Sequence, residues 1–166
     1  MLIYHPTFDA YHCMFRMLAI ANSVIQVEID KARLLDFYLL FPSTVASIRL
    51  PASSRDARKL AKSMANVYHA PVNPATTFRE MRYIQEASLK CIAASGLIDG
   101  ELFEAGFLSR TNVKMPMKLH QKVEEFLTGR QPVADIVLNE LAAIPLFGND
   151  GLKHRTGLME YKYDVT

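Results

Sequence analysis

Only two cysteines, Cys13 and Cys91, occur in the 166 residues. Neither sits in a CxxC pair or at metal-ligand spacing from a histidine. This argues against a disulfide framework or a zinc finger and for buried, reduced thiols in a cytoplasmic setting. The histidines His5, His12, His69, His120 and His154 are scattered, with no HExxH and no acidic cluster, so no metal site is expected. A Walker A loop and a GxGxxG fingerprint are both missing, so no phosphate cradle and no cofactor are expected. Long apolar runs are missing too. The longest, Leu34 to Phe41, contains Asp36 and stops at Pro42, far short of the roughly 20 residues that span a bilayer. The opening "MLIYHPTFDAYHCMF" has no basic stretch followed by an apolar one, so no signal peptide is expected.

Apolar residues, by contrast, make up 50% of the chain, enough for one core. The length fits a single domain, 1–166. Net charge is only +2, too mild to announce a nucleic-acid binder. The charge is unevenly placed, however. Arg49, Arg55, Arg58, Lys59 and Lys62 lie in a window with one acid, Asp56, a local +4.

Helical spacing dominates. Phe8, Tyr11, Phe15, Leu18 and Ala19 predict a helix over 9–24, and Ile29, Leu34, Phe37 and Leu40 one over 28–40, ended by Pro42. A short helix is expected over 43–49. Ser53 and Asp56 resemble a capping box for another, over 53–65. Thr77 and Glu80 fit a capping box opening a helix over 77–95, with Phe78, Met81, Ile84, Ser88 and Cys91 inward and Gly96 as left-handed cap. "GLIDGELFEAGFLSRT", 96–111, reads as strand, turn, strand, in the manner of a wing. Pro116 and Pro132 open two further helices, stopped by Gly129 and Pro145. The alternation from Gly157 to Thr166 predicts a final strand. The expected class is mainly α with a small β part (α+β): a winged-helix-like portion over 1–112 with a β-hairpin wing, then C-terminal helices and a strand over 113–166.

Three surfaces compete for function. Arg55, Arg58, Lys59 and Lys62 stand at i, i+3, i+4 and i+7, so one helix face carries all four while Leu60, Ala61 and Met64 face inward. With Arg49, such a row suits phosphates or an acidic protein surface, or simply stays solvated. "LLDFYLLF" is apolar almost all round, so that helix is either central or shared with a partner through Leu35, Tyr38, Leu39 and Phe41. "GNDGLKHRTG" reads as a turn exposing Lys153, His154 and Arg155. No reaction centre emerges. His12 and Cys13 are neighbours, and neighbours on a helix point about 100° apart, so they form no dyad, and an enzyme is not expected.

"LLDFYLLFP", "FREMRYIQEASLKCIAASGLID" and "GLKHRTGLMEYKYDV" together resemble the middle component of bacterial ABC-three-component conflict systems, such as the small subunit of the Lamassu anti-phage systems. The resemblance runs from "YHPTFDAYHC" to the C-terminus. It implies a small non-enzymatic subunit, winged-helix-like, working beside an SMC-like ABC ATPase and an effector such as a nuclease, and reaching DNA through the complex. It supplies no catalytic motif. The rival expectation is a free-standing winged-helix transcriptional regulator, whose recognition helix would be "STVASIR", 43–49.

Overall fold

Asp9 starts the first helix, its carboxylate accepting a hydrogen bond from the His12 amide at 2.9 Å. The computed structural model describes residues 6–65 and 70–159, and α1 spans Ala10–Ser23. Two-residue strand β1, Val27–Glu28, leads into α2, Ile29–Leu40. Every residue from Lys31 to Leu40 is buried. A helix whose C-terminal part is apolar almost all round must be enclosed, and α2 packs against α1, both strands and the segments that follow it. Pro42 ends it as expected, and Pro42–Ser47 continues as a 3-10 turn in place of the predicted helix over 43–49.

Helix α3, Arg55–Ser63, follows a single 3-10 turn, Ala52–Ser54. Its start has no side-chain cap, so the Ser53–Asp56 capping box does not form. The next helix begins earlier than its own predicted box. Asn73 accepts from the Thr76 amide at 3.0 Å and Pro74 takes the first helical position, a stronger start than Thr77. The helix divides at Met81 into α4, Pro74–Glu80, and α5, Arg82–Ala94. Bonds from Met81 N to Thr77 O and from Gln85 N to Met81 O carry the helical pattern through the junction. Gly96, at φ +78°, closes α5 as expected. Its amide bonds to Ala93 O and the Leu97 amide to Ile92 O, which satisfies two terminal carbonyls.

The expected hairpin over 96–111 is overturned. Its ends do meet, through an antiparallel bridge between Ile98 and Arg110. Asp99, however, caps a short helix, α6 (Gly100–Glu104), by accepting from the Leu102 amide at 2.9 Å. Strand β2, Phe107–Leu108, then pairs antiparallel with β1 in the register Val27 to Leu108. A capping aspartate followed by "GELFE" makes a helical turn more readily than a strand.

Pro116 precedes α7, Met117–Gly129, and Pro132 precedes α8, Val133–Asp135, which widens into a π turn, Ile136–Leu141. Helix α9, Leu152–Thr156, ends at Gly157, φ +65°. Gly157 is therefore a helix cap where the sequence predicted the first residue of a strand. Residues 160–166 of that strand lie outside the described residues. Among the described residues the fold is mainly helical with one small two-stranded antiparallel sheet. Its core joins α1 and α2 to Phe78, Leu89, Val123, Val133, Leu141 and Leu152. Among the described residues no helix is long and apolar enough to cross a membrane.

Candidate functional site

Helix α3 lies with Ala57 and Ala61 buried against the Pro42–Ser47 turn and α8. Its outer face presents Arg55, Arg58, Lys59 and Lys62, all exposed. The Arg58 guanidinium donates to Ile48 O at 3.2 Å, which ties this face to the segment carrying Arg49. Among the described residues, Arg55, Lys59 and Lys62 form no ion pair.

The chain then adds basic residues from more than 100 positions away. Arg49 donates to His154 O, the Arg155 guanidinium donates back to Arg49 O, and the Arg49 amide reaches Arg155 O at 3.4 Å. Arg155 is also held by Asp150, donating to its carbonyl at 2.6 Å and pairing with its carboxylate at 3.6 Å. The structure therefore joins two groups that the sequence offered separately, Arg49 with α3 and the 153–155 stretch. The stretch itself differs from expectation. It is helical, Lys153 is 8% exposed with its ammonium over the Phe147 ring, and His154 and Arg155 are half-buried. The long Lys153 stem gains more by covering Phe147 than by projecting into water.

The docking candidates fare differently. Leu35, Tyr38, Leu39 and Phe41 are 0%, 3%, 1% and 8% exposed. They furnish the core and present no surface, because α2 is the central helix. The would-be recognition segment is likewise turned inward, with Ser43 and Thr44 buried and the Thr44 hydroxyl donating to Phe41 O at 2.5 Å.

Sequence reasoning missed a buried polar network at the junction of α1, α2 and α5. Arg16 and Asp36, both 0% exposed, pair at 2.5 Å. Gln85 donates to the second Asp36 oxygen at 2.9 Å and to Arg33 O at 3.2 Å, and accepts from Arg33 Nε at 2.9 Å. Burial is the largest single influence on Arg16 and opposes its charge, but Asp36 together with Cys13 and Asp9 leaves it raised above the ordinary arginine value. Arg16 also lies 2.6 Å from His12 Nδ1. A guanidinium only donates, so the imidazole accepts and is neutral. Burial, then the charges of Arg16 and Arg130, lower His12 to about 4. Cys13 Sγ lies 3.8 Å from Asp36, and burial followed by that carboxylate pushes the thiol up to about 12. A thiol so far from ionising is no nucleophile. Cys91, expected to be buried, is exposed, because Gln85, Ser88 and Leu89 take the inner face of α5. The missed signal was a charge inside each apolar helix, Arg16 in "CMFRMLAIA" and Asp36 in "LLDFYLLF".

A family model described as ABC-three component (ABC-3C) system Middle Component 5 matches residues 2–164. No curated protein and no solved structure matches the chain.

Proposed function

Because the chain belongs to the Middle Component 5 family of ABC-three-component systems, we propose that it is the non-enzymatic adaptor of such a system in anti-phage or anti-plasmid defence, cytoplasmic and, like the Lamassu small subunit, coupling an SMC-like ABC ATPase that senses DNA to a nuclease-type effector. Membership in a multi-component system implies partner subunits. The observation that carries the reading toward DNA is the cationic face of α3, extended by Arg49 and Arg155. Protein interfaces are anchored by tryptophan, tyrosine and arginine set in fully desolvated pockets, and α3 exposes no large apolar residue around its arginines to exclude water. Contacts to phosphates need only charge and carry no sequence information. The face therefore suits DNA held by the complex better than an acidic protein.

Co-expression with the ATPase and effector encoded alongside, followed by size exclusion, tests the adaptor role. A stable complex is expected, and reproducible elution of this protein alone overturns the reading. In the assembled complex, Arg55→Glu with Lys59→Glu is expected to weaken salt-sensitive, sequence-indifferent DNA binding and to flatten its salt dependence. Unchanged binding removes DNA from α3. The regulator alternative loses its main support, since Ser43 and Thr44 are buried and leave few groups to read base edges.

A further inference from the structure

On the far side of the chain from its basic window in sequence, the loop between β2 and α7 and the first turns of α7 form an open groove of about 820 Å³. Its apolar lining is Val113, Met115, Pro116 and Met117, of which Val113 is 49% and Met117 77% exposed. Its charged lining is cationic only, Arg110 and Lys114, with His120 alongside. The first turn of α7 carries no acidic residue and no side-chain cap, so the partial positive charge of the helix start adds to that field.

The groove is held in shape before anything binds. Arg110 donates to Asn22 Oδ1 at 2.9 Å, to Val113 O at 3.0 Å and to Leu97 O. The Thr111 hydroxyl donates to Gly96 O and accepts from the Val113 amide at 3.3 Å. An interface whose loop is already ordered loses less entropy on association. Two exposed apolar side chains set among cations differ in kind from the α3 face, where cations stand without apolar neighbours. Anchors of this kind fill a partner's pocket or receive its side chains, and the surrounding charge selects a partner of opposite sign.

We infer that this groove docks an acidic segment bearing apolar side chains from a partner subunit of the same system. The inference rests on the adaptor reading and adds the surface and the chemistry of the segment. Acidic side chains would face Lys114 and the α7 start, while aliphatic or aromatic ones cover Val113 and Met117.

The test is co-purification of the full chain with its co-expressed ATPase and effector, comparing wild type with a Val113→Asp, Met117→Glu double variant. Circular dichroism and thermal melting verify that the variant folds, as expected at two exposed positions. Tyr83→Ser, which removes an apolar side chain 82% exposed elsewhere on α5, serves as control. Affinity for one subunit is expected to fall about tenfold or more in the double variant, the loss typical of interface anchors, and to hold in the control. Wild-type affinity is also expected to weaken as salt rises. Equal capture by the folded double variant overturns the groove and leaves the adaptor reading standing. Failure of the wild type to capture either subunit overturns both. Concentration-dependent self-association that the double variant alone abolishes makes a second copy of this chain the occupant, which also overturns the inference.

Discussion

Asp36 decides more than any other single side chain. It receives Arg16 and Gln85 in a fully buried position and lies beside Cys13, so Asp36→Ala leaves a buried guanidinium without its counter-ion. The expected cost is about 3 to 5 kcal/mol in urea denaturation. A double change, Arg16→Met with Asp36→Leu, is expected to recover most of that loss, because exchanging a buried pair for apolar residues of similar size is close to neutral. His12 gives the pH dependence. Its folded value near 4 lies below the ordinary 6.5, so the unfolded chain binds more protons between those values. The contribution of His12 to stability is fully present above about pH 6.5 and is lost as pH falls toward 4. His12→Gln is expected to make urea midpoints less pH-dependent across that window than in wild type. For the cysteines, a thiol reagent is expected to label Cys91 in the native protein and Cys13 only after unfolding. None of the network pairings was legible in the sequence, since Arg16 and Asp36 stand 20 residues apart and Gln85 a further 49. Periodicity reports which face is apolar; on α5 it placed Ser88 inward correctly but passed over polar Gln85 and turned Cys91 inward, where Gln85 and Leu89 take the buried positions instead.

At the level of elements, helices were the legible part. Caps and prolines located α1, α2 and α7 to within a residue or so, since Asp9, Pro42 and Pro116 act on the backbone next to them. The 96–111 segment was not legible, because β2 finds its partner in β1 and its helical turn depends on the Asp99 cap. The basic face was legible as a helix face. Its extension through Arg49 to Arg155 was not, because that contact is made across the fold. Gly151 supports the extension. A Cβ there would collide with the Phe147 carbonyl, at the turn that aims α9 toward Arg49. Gly151→Ala is expected to cost about 1 to 3 kcal/mol in denaturant unfolding and to weaken DNA binding by the complex. A loss of stability with DNA binding intact would detach α9 from the basic surface.

Across the whole molecule, the stretch before 112 and the stretch after it contribute to one core. Phe126, Val133, Leu141 and Leu152 join the cluster built on α1 and α2, and Arg130 Nε donates to Leu39 O at 2.8 Å. Unfolding followed by circular dichroism and by tyrosine fluorescence is therefore expected to give one coincident transition. Two separated transitions would divide the chain near 112. The β1–β2 ladder sets a schedule as well as a shape. Val27 pairs with Leu108, some 80 residues later, and α1 is covered mainly by α5 and α7. At about 5 to 20 residues per second, the ribosome needs roughly 4 to 16 s to make the strand that closes the ladder. Through that interval the later strand and helices that cover α2 have not been made, although every residue from Lys31 to Leu40 ends buried. Apolar surface is then exposed longest in the nascent chain, so aggregation during synthesis is expected to rise when elongation slows.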